Sequence, residues 1–323
     1  MVAWLAGTAG LLPAQSRPWS IADRAIVGSF TRISSIAVAP DRVYVSSPTA
    51  LLIWDPRLRR WDGPFTPPDS STLDRVFTAL VDPLNNSLWL ARVDGWVHFD
   101  PYRLNWQTGP VPAVVQGIAF DFDAPGAGLF VRTEQGWGVV APGKNQFSPS
   151  QPPKRPLQPP TVTEALAAVP ALRAGVAPGG GGQGGRAASY SAAARAFGGH
   201  GWYLGTWGDG LFSLLEGAVT PERLRFGLPG ERVSAVAVAA GGVWVATDWS
   251  VGPGQTLSFV ASDLSEFRWT APGVKTERSF GAVRALAAQG PVLWGATDQG
   301  LARWNTEPAE FELIGGSRGL PDS

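Results

Sequence analysis

Trp202-Tyr203-Leu204-Gly205-Thr206-Trp207-Gly208-Asp209-Gly210-Leu211 sets an aromatic among apolar residues, then a small residue, a Thr, a Gly-bearing turn and a fresh apolar run. The same phrase recurs as Leu88-Trp89-Leu90-Ala91, Val243-Trp244-Val245-Ala246-Thr247 and Leu293-Trp294-Gly295-Ala296-Thr297. Weaker copies stand at Val43-Tyr44-Val45-Ser46 and Leu129-Phe130-Val131-Arg132. The starts at 43, 88, 129, 202, 243 and 293 are separated by 45, 41, 73, 41 and 50 residues. A period near forty marks a repeated supersecondary unit.

Each copy has the same surroundings. An Ala- and Val-rich alternating run precedes it, such as Ile36-Ala37-Val38-Ala39, Ala79-Leu80-Val81-Asp82 or Val236-Ala237-Val238-Ala239. A third run follows the Gly turn, and a fourth carries an aromatic: Trp61, Trp106, Phe147, Phe226, Trp269 or Phe311. Period-2 alternation bounded by Gly, Pro, Asp and Asn reads as strand. Four short strands per unit, repeated, predict an all-β chain: a six-bladed β-propeller of four-stranded antiparallel blades. The blades are expected at roughly 33–66, 76–108, 114–147, 189–226, 233–270 and 283–315. A seventh would have to hide in the 73-residue interval, where 148–188 has Pro clusters and a Gly run but no alternating strands. Small first strands suit the crowded axis, and most of the 15 Trp are expected to fill the space between blades.

Composition narrows the function. The net charge is zero, which gives no basis for general attraction to nucleic acid. With no cysteine, disulfides, thiolate metal sites and a Cys nucleophile are excluded. The 323 residues suit one propeller over 18–323, preceded by an apolar segment at 1–17. That segment ends Leu11-Leu12-Pro13-Ala14-Gln15, which predicts export with cleavage after Ala14; the alternative is an apolar tail that packs on the propeller or a partner. It is too short to span a bilayer.

The units resemble the repeats of two-component-regulator propellers, the periplasmic sensor modules of some bacterial hybrid histidine kinases. The resemblance rests on Trp202–Leu211, on Leu293–Leu301 and on the linkers Gly227-Leu228-Pro229 and Gly319-Leu320-Pro321. It implies the propeller fold and a periplasmic or secreted location. No kinase follows Ser323, so it does not imply signalling. A linker of this kind feeds the next blade, which predicts that the C-terminus meets blade one near Ile33–Val38.

Chemistry-bearing motifs are sparse. His98 alternates with apolar neighbours and His200 lies in a Gly-rich turn, so neither is expected to bind metal. Asp121-Phe122-Asp123 lacks the oxygen-ligand pattern of a calcium loop. There is no Gly-x-Ser-x-Gly elbow, and Gly179–Gly185 lacks the Lys-Ser/Thr of a phosphate loop. No catalytic residue, cofactor or metal is expected.

The departures from the repeat fall on the face that holds the two-to-three turns and the blade-to-blade connections. Trp207 and Trp249 occupy two-to-three turns, and Trp96 and Trp137 follow such turns directly. The 148–188 insertion is Pro-rich from Pro149 to Pro160, which predicts an extended arm. Thr161-Val162-Thr163-Glu164 reads as a capping box before a short helix over Ala165–Ala174 broken at Pro170. Residues 144–195 carry Lys144, Lys154, Arg155, Arg173, Arg186 and Arg195 against Glu164, a net +5. These features predict a partner surface at Trp96, Trp137, Trp207, Trp249, Lys154, Arg155, Arg173 and Arg186. The expected role is that of a non-catalytic exported accessory or scaffolding subunit docked on a larger, membrane-bound bacterial protein complex. The alternatives are a stand-alone periplasmic sensor with a small ligand at the mouth of the axis, or a propeller lyase.

Overall fold

The structure, a computed structural model, describes residues 30–314 except 70–71, 142, 145, 170–189, 219, 231, 249–254, 263–265, 271–281 and 307–308. The apolar N-terminal segment, Trp249, Arg173, Arg186, the Gly run and the last Gly-Leu-Pro linker lie outside the described residues.

Six antiparallel sheets follow one another along the chain. Sheet one is β1 (Ser35–Val38), β2 (Val43–Ser46), β3 (Leu51–Asp55) and β4 (Arg60–Phe65). Sheet two is β5 (Val76–Val81), β6 (Leu88–Arg92), β7 (Gly95–Asp100) and β8 (Asn105–Pro110). Sheet three is β9 (Val115–Asp121), β10 (Leu129–Thr133), β11 (Gly136–Val140) and β12 (Phe147–Pro149). The arm then supplies β13 (Pro156–Leu157) and α1 (Val162–Ala168). Sheet four is β14 (Tyr190–Arg195), β15 (Gly201–Thr206), β16 (Leu211–Leu215) and β17 (Glu222–Leu224). Sheet five is β18 (Val233–Ala239), β19 (Gly242–Asp248), β20 (Gln255–Ala261) and β21 (Phe267–Thr270). Sheet six is β22 (Val283–Gln289), β23 (Val292–Thr297), β24 (Gly300–Thr306) and β25 (Ala309–Ile314). This is the all-β, four-strand-per-unit architecture of a β-propeller, although the six sheets do not close into one ring.

Alternation along each strand divides its side chains between two inter-sheet layers. On β2, Val43 and Val45 face sheet four, while Tyr44 faces sheet two. On β6, Leu88 and Leu90 face sheet one, while Trp89 and Ala91 face sheet three. Sheets five and six share their own layer, built from Trp244, Phe259, Leu293 and Trp304. Sheet five joins sheet four through Phe267 on Phe226 at 4.6 Å and through the Trp269 indole N–H, which donates to the Gly227 carbonyl at 2.8 Å. Phe226 itself lies just beyond β17, where it also meets Phe30 and Trp61.

The neighbour of sheet one differs from the expectation. The strand before β1 lies against sheet four: the Ile33 N–H donates to the Thr206 carbonyl at 2.9 Å, and Arg32 bridges Trp207. The inner strands of sheets five and six accordingly stay open to solvent, with Val238 79% exposed, instead of crowding the axis.

The small residue of the repeated phrase has a reason at this contact. A Cβ on Gly205 would fall 2.5 Å from Ile33 Cγ2, so only glycine lets β15 approach sheet one. Gly205→Ala should therefore cost about 1–3 kcal/mol by overpacking. The expected readout is a lower denaturant midpoint at unchanged slope.

Candidate functional site

The arm joins sheet three to sheet four. After β12 it returns to the turn between β9 and β10, where the Asp121 carboxylate accepts the N–H groups of Lys154 at 2.9 Å and Arg155 at 3.3 Å. The Phe122 N–H donates to the Arg155 carbonyl at 2.9 Å, and the Arg155 guanidinium lies 4.2 Å over the Phe122 ring. From this anchor β13 runs back down the free edge of β9, pairing Pro156 with Asp121 and Leu157 with Phe120. It makes a fifth strand on sheet three. Helix α1 follows, with Thr161 and Glu164 closing a capping box. Its Ala165, with Val162, Leu166 and Val169, covers Trp202, Leu204, Phe212 and Leu214 of sheet four.

Between these elements lies a cavity of about 310 Å³. Its walls come from the first ends of β1, β5, β9 and β14, from the β10–β11 turn, and from arm residues Gln158–Val162. A recurrent irregularity aims side chains into it. The register slips by one residue at Phe77 in β5, at Gln116 in β9 and at Ser191 in β14, and all three bulged residues line the cavity. Bulges re-aim side chains in this way at sites of function. Trp137 and Arg132, cross-strand partners on β11 and β10, complete the wall.

The opposite end of the same sheets carries a different chemistry. The turns between strands one and two, and three and four, present Leu58, Leu84, Tyr102, Leu104, Phe122 and Phe197, each between 58% and 66% exposed. Sheets one to three are tied together there. Arg42 stacks over Tyr102 at 5.3 Å, the Tyr44 hydroxyl donates to the Asn86 carbonyl at 2.8 Å, and Leu84 lies beside Gly126. Asp55 and Asp100 shape equivalent turns by accepting the N–H groups two and three residues on. Leu104 holds φ 53°, a left-handed conformation that costs a leucine ~1 kcal/mol or more.

These observations redistribute the predicted partner residues. Trp96 is a correction: it is 1% exposed, packs on Trp89 with ring centroids 5.3 Å apart, and belongs to the layer between sheets two and three. Trp137 is half-buried in the cavity wall. Trp207 is 53% exposed in its turn. Lys154 and Arg155 are exposed but pinned beside Asp121, at the opposite end of sheet three from Trp137. The five of these residues that the structure describes therefore do not make one surface. The exposed apolar rim was missed because single apolar residues in short turns carry no periodic signal.

Each histidine has a hydrogen-bond partner. His98 packs 4.4 Å from Trp89 and its Nε2 pairs with the Ser87 hydroxyl at 2.8 Å. His200 pairs with Glu216 at 2.6 Å on the surface. Among the described residues no group of three or more His, Cys, Asp or Glu gathers as a metal site, and no helix is long and apolar enough to cross a membrane.

No known family profile matches the chain, and no curated protein does so significantly. Solved structures do show a weak likeness. Extracellular domains of two hybrid two-component systems from B. thetaiotaomicron align with 12% and 16% identity, each at a TM-score of 0.30. The alignments cover 88% and 91% of this chain but only 41% and 36% of theirs. The Cps50 (Swd1) β-propeller domain of Myceliophteria thermophila aligns at 10% identity and a TM-score of 0.28, covering 82% of this chain and 80% of that one. Likeness at this level carries no functional argument; the fold rests on the sheets themselves.

Two measurements follow from the titratable groups. Backbone donors from Lys154, Asp123 and Arg155 hold the Asp121 carboxyl below its ordinary value. Its contribution is therefore complete above the ordinary carboxylate range and is lost as pH falls through the depressed value. Amide-exchange protection at Lys154 and Arg155 should persist at pH 5 and vanish at neutral pH in Asp121→Ala. Burial lowers the His98 pKa. The unfolded chain then binds the extra proton first, so stability should fall as pH drops below ~6.5. A His98→Gln chain should show a flatter melting profile between pH 7 and 5.

Proposed function

We propose that this chain is a non-catalytic, exported β-propeller that serves as an accessory or scaffolding subunit of a larger, membrane-bound bacterial assembly. The observation that carries this reading is the exposed apolar rim of Leu58, Leu84, Tyr102, Leu104, Phe122 and Phe197. Large apolar side chains on the turns at one end of four successive sheets favour association. Burying one such side chain gains roughly 1.5–3 kcal/mol. The apolar run before Gln15 and the resemblance of Trp202–Leu211 to periplasmic sensor repeats support export. This assigns docking to the rim and not to the face that bears Trp207.

The test is size-exclusion of a detergent extract from the source membrane. The intact chain should elute with a high-mass complex. Leu58→Ser, Leu84→Ser and Phe197→Ser combined should move it to the monomer position while the chain stays folded by circular dichroism. Losing three buried anchors corresponds to at least ~100-fold in affinity. Elution of the intact chain only as a free monomer overturns the proposal, and so does co-migration of the triple variant with the complex.

A further inference from the structure

The cavity between the inner strands is independent of the rim and has a definite electrostatic character. Among its lining residues Arg132 alone is charged. The other polar contributors are neutral, chiefly Gln116, Gln158 and Thr78, and the apolar ones include Phe77, Trp137 and Pro159. The hydroxyls of Ser35 and Ser191 are already engaged, with the Ser46 hydroxyl and the Ile33 carbonyl. No carboxylate among the described residues lies within ion-pairing distance of Arg132, whereas Arg42, Arg92, Arg103 and Arg284 pair with Asp41, Asp94, Asp100 and Asp298. Arg132 is exposed at the mouth of the cavity, where a guanidinium with no counter-charge beside it leaves positive potential unmatched.

Register adds a second observation. Arg132 is paired with Trp137 on one side and with Gly117 on the other, so the three form one row across sheet three. A Cβ built on Gly117 would meet nothing within 4 Å, so the row has an open step next to the guanidinium. Glycine inside a strand occurs at bulges and where something approaches the backbone closely, and Gly117 directly follows the bulged Gln116. At about 310 Å³ the space stands at the small end of ligand sites.

We infer that this cavity binds a small organic carboxylate with a flat or apolar body. The planar guanidinium of Arg132 would take the carboxylate as a bidentate acceptor. The body would lie over Gly117 against Trp137 and Phe77. The amides of Gln116 and Gln158 and the hydroxyl of Thr78 would hold polar substituents. The arm closes one side, so the ligand would also tie Gln158–Val162 to sheets two and three.

Calorimetric titration of the full chain tests this with benzoate, 4-hydroxybenzoate and glutarate, each beside its neutral amide, and with inorganic phosphate. At least one carboxylate should bind saturably in the millimolar range or tighter, with its amide at least tenfold weaker. Arg132→Gln should weaken that carboxylate at least tenfold. Gly117→Val fills the open step beside Arg132 while keeping the guanidinium and should abolish binding, and both variants keep the parent melting temperature. The inference is overturned if no carboxylate binds, if an amide binds as well as its acid, or if either variant binds like the parent. Phosphate binding as tight as any carboxylate also overturns it, because the site would then be a bare anion point.

Discussion

Sheet four has two apolar faces and only one of them meets sheet one; the whole arrangement turns on how the other is covered. Trp202, Leu204, Phe212 and Leu214 form that second face, and each is buried because α1 lies over it. A four-stranded sheet cannot stand in water with both faces apolar, and exposing side chains of this size would cost several kcal/mol. The helix is too short to be stable by itself, at seven residues. Its capping box satisfies the first turn, and the apolar face of sheet four does the rest. Anchoring at Asp121, strand addition by β13 and helix docking thus form one continuous path from sheet three to sheet four.

This path explains why the fold was legible in the sequence while the arrangement of its sheets was not. A continuous apolar run such as Val43-Tyr44-Val45 states that both faces of a strand are buried; it does not state what covers each face. Val43 and Val45 read as core in the sequence and are core, but the neighbour they meet is sheet four and not the last sheet. The small residue after the aromatic phrase was visible as a pattern, whereas its cause, the approach of Ile33 to Gly205, is a contact over a long sequence distance. Nor does the Ala- and Val-rich composition of β18 and β22 distinguish an axial strand from one left facing solvent.

The candidate site divides in the same way. Trp96 and Trp207 lie near equivalent turns, yet one is buried and the other exposed. Trp207 is in the turn itself, while Trp96 has already entered β7 opposite Ala91 and takes that strand's inward parity toward Trp89. Counting from the turn could not resolve a difference of one or two residues that reverses the face. The bulges at Phe77, Gln116 and Ser191 were equally invisible, because a bulge is a mismatch between two strands and leaves no mark in either one alone.

Those bulges also separate two kinds of surface on one scaffold. At the end of the strands where they occur, the chain turns neutral polar and aromatic side chains into the cavity, with one guanidinium outside any ion pair among them. At the other end the turns are regular, fixed by Asp55 and Asp100, and they carry exposed apolar side chains outward. A rim built for area can gain affinity without orientation, since burial of apolar surface is non-directional. A cavity holding one charge gains little from area and much from geometry, because a guanidinium rewards only a planar acceptor in the right place. The arm touches both ends, being tied to Asp121 at the rim and forming a cavity wall at Gln158–Val162. Anything that orders the cavity wall therefore also restrains the chain segment leading back to the rim, and the two surfaces share one mechanical element.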